Sequence, residues 1–260
     1  MTPSLHLGIL EADPVDEDLA AAHGNYPAMF RTLLETAAAD LAPGPVLTTS
    51  CWPVWRGALP PGPDACDAWL ITGSRRSVND DESWIRALEA FVVALHGARR
   101  PLLGVCFGHQ LVARALGGAV ERAAVGWGVG AHRYEVIARA PWMEPARETL
   151  ALRASHQDQV TRLPEGARPY LRSDFCPLAG FTVGAHFLTI QPHPEFAAPY
   201  ARALLDRRRS VLGEACWTQA SASLAQPVDA RVVGGWFLRF LRAACEAGQS
   251  RRLPDREGSV

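Results

Sequence analysis

The chain has 260 residues, of which 48% are hydrophobic and 20% charged, a composition typical of a globular protein with a sizeable core. Its formal net charge of -1 gives no electrostatic reason to expect nucleic acid or an anionic membrane as a partner. All 26 basic residues are arginine. Chemistry that needs a lysine amine, such as a Walker-A phosphate loop or a Schiff base, is therefore excluded.

The first ten residues, MTPSLHLGIL, lack the basic segment and long apolar segment of a secretory signal, and no apolar run approaches the roughly 18 residues of a membrane span. We therefore expect a cytoplasmic protein. The cysteines contain no CxxC pair, which favours reduced thiols over disulfides or a zinc site, and we expect neither a metal nor a cofactor. The six cysteines are Cys51, Cys66, Cys106, Cys176, Cys216 and Cys245.

Short apolar runs alternate with amphipathic segments through the first half of the chain. The runs predict strands, and apolar residues at helical spacing predict helices. The predicted strands are 5–10, 46–51, 68–73 and 101–106, and the predicted helices are 26–41, 81–97 and 108–118. This β-α-β-β-α-β-α order predicts an α/β fold with a mainly parallel open sheet covered by helices on both faces.

The second half begins with short strands separated by turns, which predict a small antiparallel patch. These strands are 131–137, 150–155, 167–173, 178–184 and 185–195. Two helices follow, at 197–212 and 229–246, and we expect Arg207 to Arg209 to form a solvated helix face. The polar tail from Ser250 is expected to be frayed.

The last predicted helix carries one apolar stripe, which we expect to pack against the sheet. The alternative is a subunit or partner surface. The stripe consists of Val232, Val233, Trp236, Phe237, Phe240, Leu241 and Ala244.

One cysteine lies between a predicted strand and a predicted helix, in PLLGVCFGHQ (101–110). Cys106 is expected beyond the carboxyl end of its strand, where open α/β sheets collect reactive groups. Gly104 and Gly108 permit the tight turn of a nucleophile elbow. The helix N-terminus favours a thiolate, and the backbone N–H of Phe107 would face an oxyanion on an attacked carbonyl. The alternative is a buried, unreactive cysteine.

A possible base and its orienting acceptor occur together in IQPHPEF (190–196). Pro192 and Pro194 favour extended geometry in the residues that precede them, and residues two apart on an extended chain point the same way. His193 and Glu195 are therefore expected on one side, with the carboxylate holding the imidazole and the imidazole facing the thiol. A purely structural His-Pro-Glu turn is the alternative, and the presence of Cys106 favours the catalytic interpretation.

The two motifs GVCFGHQ (104–110) and QPHPE (191–195) resemble the class I (triad) glutamine amidotransferase family. Supporting segments occur in the family's order over about residues 5–196. The resemblance is strongest to the stand-alone, GMP-synthase-amidotransferase-like subgroup, which is related to plant γ-glutamyl peptidases. It implies a flavodoxin-like fold, with an amidotransferase domain at 1–196 and a helical extension at 197–260 packed on it. The supporting segments are HGNYPAMF, LITGSRRSV, VGWGV and SHQDQV.

The resemblance also implies roles for individual residues. Cys106 would be the nucleophile, His193 the general base and acid, and Glu195 the orienting carboxylate. The oxyanion hole would be the backbone N–H of Phe107 with that of either Gly73 or Ser74. The γ-glutamyl pocket would be bordered by Gln110, Gly126, Trp127, Gly128, His156 and Asp158, although His156 and Asp158 also fit a simple turn.

The implied activity is cysteine-dependent hydrolysis of a γ-glutamyl amide through a thioester, on glutamine or a γ-glutamyl amide or peptide. A stand-alone amidase or peptidase is favoured, because Ala124 stands where many glutamine-using members carry an acidic residue. The alternative is an ammonia-supplying glutaminase subunit. Its synthetase would have to be a separate protein, because the chain contains no Ser-Gly-Gly-x-Asp-Ser loop of an ATP pyrophosphatase. An inactive scaffold or regulatory module is a third possibility, against which the intact Cys-His-Glu set argues.

Overall fold

The computed structural model describes residues 4–41 and 46–250. The strands in chain order are β1 (Ser4–Glu11), β2 (Val46–Pro53), β3 (Ala68–Ile71), β4 (Leu102–Val105), β5 (Ala119–Arg122), β6 (Gly128–Val136), β7 (Thr149–His156), β8 (Asp158–Arg162), β9 (Ala167–Arg172), β10 (Gly180–Val183) and β11 (Phe187–Ile190). The helices are α1 (Glu17–His23), α2 (Tyr26–Ala38), α3 (Ser83–Gly97), α4 (Phe107–Ala115), α5 (Ala198–Arg207), α6 (Arg209–Leu212), α7 (Glu214–Ser223) and α8 (Ala230–Ser250).

The main sheet has nine strands in the order β2-β1-β3-β4-β11-β10-β9-β6-β7. The first five run parallel to one another, because the chain crosses over through a helix or a long loop between them. From β11 onward every neighbouring pair is antiparallel, and β5 with β8 forms a separate two-stranded ribbon. The predicted α/β class is confirmed, and the antiparallel part is larger than the expected small patch.

Helices cover both faces of the sheet. On one face α2 and α8 pack against the apolar side chains of β1, β4 and β11. On the other face α3 and α4 pack against side chains of β3, β10 and β11. Trp236 and Phe237 of α8 are almost completely buried in the first layer. The apolar stripe of the last helix therefore packs on the sheet, as expected from its sequence.

Several elements differ from the sequence-based expectation. The predicted helix 197–212 is divided at Arg208 into α5 and α6, and α1, α7, β5 and β8 were not predicted. The last predicted strand ends at Ile190, because the Pro192 and Pro194 that follow it cannot donate ladder hydrogen bonds. The expected frayed tail begins at Ser250, which is the last residue of α8, and the rest of it lies outside the described residues. Among the described helices, none is long and apolar enough to cross a membrane.

Replacement of Phe237 by alanine tests the contribution of α8 to the core. The ring is 1% exposed, so Phe237→Ala should lower the free energy of unfolding by about 3–5 kcal/mol. Urea unfolding followed by circular dichroism measures this change. Arg242→Ala, on the exposed face of the same helix, is the matched control and should change stability by less than about 0.5 kcal/mol. Equal effects of the two substitutions would show that α8 is not part of the core.

Candidate active site

Cys106 occupies a sharp turn between β4 and α4. Its backbone has φ +52° and ψ -100°, a conformation that is strained for a residue with a side chain. The turn is possible because the residues two positions before and two positions after Cys106 are glycines. A Cβ on Gly104 would lie 2.7 Å from the carbonyl oxygen of Gly108, and a Cβ on Gly108 would lie 2.5 Å from that of Ile71. The nucleophile-elbow geometry expected from the sequence is therefore present.

His193 follows β11, which lies directly beside β4 in the sheet. Ile190 at the end of β11 pairs with Val105 at the end of β4, and the N–H of Cys106 donates to the carbonyl of Ile190 at 2.9 Å. Two parallel strands thus end side by side, one leading into Cys106 and the other toward His193. Cys106 therefore lies beyond the carboxyl end of its strand, as expected, and His193 follows the neighbouring strand at the same edge of the sheet.

His193 and Glu195 form a buried hydrogen-bonded pair. The Nδ1 of His193 donates to Oε1 of Glu195 at 2.7 Å, and both side chains are nearly inaccessible to solvent. The His193 N–H also donates to the carbonyl of Arg153 on β7 at 2.8 Å. The ring of Phe196 stacks on the imidazole with centroids 3.9 Å apart. The imidazole is therefore fixed through its ring nitrogen, its backbone and one of its faces.

The charges around His193 favour its protonated form. Burial alone would lower the pKa of the imidazole, but the carboxylate of Glu195 and the side chain of Cys106 outweigh burial and raise that pKa to about 10. At neutral pH the ring therefore carries a positive charge beside the sulfur. Such a charge stabilises a thiolate, the nucleophilic form of cysteine.

Gly73 lies against both of these side chains. A Cβ at this position would come 2.8 Å from Cε1 of His193 and 3.8 Å from Cβ of Cys106. Phe107, at the first position of α4, has a backbone N–H without a partner inside the helix. The Gly73–Ser74 segment and Phe107 therefore both lie beside Cys106. Which amides form an oxyanion hole stays a prediction.

A pocket of about 350 Å³ opens beside Cys106. Five further residues named from the sequence line it, and two of them, Gln110 and His156, contact the backbone carbonyl of a third, Asp158. Nε2 of Gln110 donates to the Asp158 carbonyl at 2.8 Å, and Nδ1 of His156 lies 3.2 Å from the same oxygen. Burial lowers the pKa of His156 to about 3, so its ring is neutral. The five are Ser74, Gln110, Trp127, His156 and Asp158.

Gly126 and Gly128 do not line this pocket with Trp127. Gly126 lies in the loop before β6, and Gly128 is the first residue of that strand. Packing of Gly128 against the ring of Phe175, 2.4 Å from the position of a Cβ, fixes the start of the strand. Trp127 lines the pocket while its two neighbouring glycines do not, and a role of the backbone at 126–128 in binding the γ-glutamyl group stays a prediction.

Arg208 was wrongly expected to point into solvent with its neighbours. Arg207 and Arg209 are exposed, but Arg208 is half-buried and lines the pocket. The end of α5 turns its guanidinium toward β7, where Nη1 donates to Oγ of Ser155 at 2.7 Å. No sequence motif indicated that Arg208 lines the pocket. The one indication in the sequence was that Arg208 lies in a predicted helix shortly after Glu195.

Residues 60–206 match the family model described as Glutamine amidotransferase class-I. The chain belongs to this family. The resemblance inferred from the two sequence motifs is thereby confirmed. Since the match ends beyond Glu195, it includes the elbow, the paired histidine and glutamate, and most of α5.

Relatives of this amidotransferase chain extend the comparison. A glutamine amidotransferase-like protein of Schizosaccharomyces pombe is 27% identical over an alignment of 244 residues that covers 91% of this chain and 98% of that protein. γ-Glutamyl peptidase 3 of Arabidopsis thaliana is 32% identical over 152 residues, covering 55% of this chain and 60% of the peptidase. The crystal structure of a glutamine amidotransferase from Thermotoga maritima superposes with a TM-score of 0.69 at 18% identity, covering 93% of this chain and 99% of that one. This superposition supports the fold.

Cys106 should be the first of the six cysteines to react with iodoacetamide at pH 7. Burial raises the pKa of Cys51, Cys66 and Cys245 to about 11 and that of Cys176 to about 12. Each unit by which a thiol pKa exceeds the pH lowers its thiolate fraction about tenfold, so these four thiols should react slowly at pH 7, whereas the protonated imidazole of His193 stabilises the thiolate of Cys106. Peptide mass spectrometry over time measures the rates.

Two controls accompany the labelling. His193→Ala removes the adjacent positive charge and should slow alkylation of Cys106 at pH 7 while the other rates stay the same. Unfolding in urea should make the six rates similar. Complete modification of another cysteine in the folded protein, with Cys106 untouched, would contradict the assignment of the reactive thiol.

Proposed function

We propose that the chain hydrolyses a γ-glutamyl amide bond through a thioester on Cys106, with His193 as general acid and base and Glu195 as the orienting carboxylate. The observation that carries this proposal is the buried His193–Glu195 pair, hydrogen-bonded at 2.7 Å, beside a strained cysteine that opens into a pocket. Membership of the amidotransferase family and similarity to a plant γ-glutamyl peptidase support the same chemistry.

In the first half of the reaction the thiolate of Cys106 attacks the γ-carbonyl carbon. A C–S bond forms as the carbonyl π electrons move to oxygen, and the resulting oxyanion is stabilised by backbone N–H groups. The imidazolium of His193 then gives its proton to the leaving nitrogen. The C–N bond breaks, and ammonia or an amine departs, leaving the γ-glutamyl thioester.

In the second half, neutral His193 removes a proton from water as the water oxygen attacks the thioester carbon. The tetrahedral intermediate collapses with cleavage of the C–S bond and releases glutamate, and the thiolate and imidazolium are restored. Glu195 keeps Nδ1 of the ring protonated, so that Nε2 is the nitrogen that faces the reacting atoms.

The oxyanion would be bound by the N–H of Phe107 with that of Gly73 or Ser74. The acyl group would lie in the pocket bordered by Gln110 and Asp158. Two contacts keep this wall in place: Nε2 of Gln110 donates to Oε1 of Gln191 at 3.1 Å, and Oγ of Ser77 donates to Oδ2 of Asp158 at 2.6 Å.

A stand-alone γ-glutamyl amidase or peptidase agrees best with the packing of the C-terminal segment. We propose an amidotransferase domain at 1–196 with 197–260 as its extension, because α8 of that segment fills one face of the sheet core. Arg208 of the same segment borders the pocket, so this wall needs no second protein. The alternative of an ammonia-supplying subunit for a synthetase keeps the same chemistry at Cys106. A cytoplasmic location remains a prediction.

Graded losses of activity should follow from the three proposed roles. Cys106→Ala and His193→Ala should abolish turnover, because the nucleophile or the proton carrier is missing. Glu195→Gln should leave measurable turnover, because only the orientation and charge of the imidazole are weakened. Glutamate release by each folded variant provides the measurement. Equal and complete loss in all three variants would point to a different role for Glu195.

The purified chain should hydrolyse some γ-glutamyl compound without ATP and without a second protein. Glutamine, glutathione and γ-glutamyl amines are suitable substrates, with mass-spectrometric detection of glutamate. Cys106→Ala is the matched control for contaminating activity. If the pure protein is inert toward all of them, and an added synthetase switches on glutamine hydrolysis, the ammonia-supplying alternative is correct.

A further inference from the structure

Four arginines line the pocket beside Cys106, and three of them are paired with carboxylates of the chain itself. Arg75 binds Asp13 at 2.8 Å, Arg76 binds Glu82 at 3.1 Å, and Arg122 lies 3.8 Å from Asp158. The fourth, Arg208, has no carboxylate within ion-pair distance among residues 4–41 and 46–250. Arg208 is therefore the one arginine of this pocket that forms no ion pair with a carboxylate of the described residues. The four arginines are Arg75, Arg76, Arg122 and Arg208.

The two neighbours of Arg208 differ from it, because both form ion pairs. Arg207 forms ion pairs with Asp16 and Asp18, and Arg209 forms one with Glu214. Both of these arginines are exposed, where an ion pair contributes little. Arg208, which is half-buried, forms no such ion pair among the described residues. A half-buried cation beside a reactive group is costly unless an anion joins it.

Arg208 is held in place by neutral groups. Its Nη1 donates to Oγ of Ser155 at 2.7 Å, and its guanidinium carbon lies 5.5 Å from the ring centroid of Trp127. Ser155 and Trp127 line the same pocket. These contacts use one N–H and one face of the guanidinium, which leaves other N–H groups of its fork available for a carboxylate.

We infer that Arg208 binds a carboxylate of the γ-glutamyl substrate and thereby determines substrate specificity. This inference rests on the proposed function, in which Cys106 forms the thioester. The carboxylate has two possible sources, the α-carboxylate of the γ-glutamyl group and the carboxylate of a leaving amino acid or peptide. In either case the substrate carries a carboxylate at the end that contacts Arg208, and γ-glutamyl compounds without a carboxylate at that end bind more weakly.

The test compares wild type, Arg208→Met and Arg209→Met. Methionine keeps an apolar stem beside Trp127 and removes the charge, and the Arg209 variant loses one positive charge at the adjacent, exposed position. Arg208→Met should raise KM about tenfold to a hundredfold with kcat changed by less than about threefold, because one hydrogen-bonded charge pair is lost. Arg209→Met should keep both constants. Iodoacetamide should alkylate Cys106 at the same rate in all three proteins.

Three substrates distinguish the sources of the carboxylate. γ-Glutamylglycine carries both carboxylates, γ-glutamyl methylamide carries only the α-carboxylate, and the α-amide of γ-glutamylglycine carries only that of the leaving group. If Arg208 binds the α-carboxylate, Arg208→Met raises KM for the first two and leaves the third unchanged. If it binds the leaving group, KM rises for the first and third and the second is unchanged.

A similar loss with all three substrates, or no loss with any, would overturn the role of Arg208 while hydrolysis by wild type upholds the proposed function. Arg208→Lys, which keeps a positive charge, should recover part of the lost affinity. If wild type hydrolyses none of the three and Cys106 is unreactive toward iodoacetamide, the proposed function and the inference fail together.

Discussion

The geometry of the site depends on how closely the first turn of α4 approaches the ends of β3 and β4. The positions of Gly104 and Gly108 leave no room for a Cβ, since backbone atoms lie within 2.7 Å of where it would stand. The helix can therefore begin at the residue after Cys106, and Cys106 itself must accept a positive φ. Such a backbone costs on the order of 1–3 kcal/mol, and the surrounding contact holds it in place. The close contact of α4 with β3 and β4 thus sets the direction of the Cys106 side chain.

The position of β11 supplies the second half of the site. This strand pairs in parallel with β4 on one side and antiparallel with β10 on the other, so the parallel and antiparallel parts of the sheet meet along it. Adjacent strands lie about 4.8 Å apart, and the residues that follow β4 and β11 are necessarily neighbours. The hydrogen bond from His193 to Arg153 also ties the segment after β11 to β7. Cys106 and His193 are therefore brought together by the sheet itself.

Local sequence was sufficient to predict the parts of the fold with strong apolar patterns. The strands before Cys106 and the apolar stripe of α8 are of this kind. The pairing of His193 with Glu195 was also predicted, but Pro194 and Glu195 form a turn, in which the Phe196 N–H donates to the His193 carbonyl at 3.4 Å, and not the expected extended segment. Short or weakly patterned elements were missed: β5 has four residues, and α7 lacks a continuous apolar face. Arg208 could not be assigned from sequence, because its contact with Ser155 joins residues 53 positions apart. Its neighbours Arg207 and Arg209 do face solvent, so composition gave no reason to separate the three.

The imidazole of His193 owes part of its high pKa to the sulfur beside it. Burial opposes the charged ring, and Glu195 together with Cys106 overcomes burial. In the proposed reaction the sulfur becomes a neutral thioester, which removes one of these two supports, and the pKa of His193 must then fall. Before acylation, the imidazole of His193 is therefore protonated and can give its proton to the departing amine. After acylation, the same ring can accept a proton from water. In the proposed reaction, acylation of the sulfur therefore changes His193 from a proton donor to a proton acceptor.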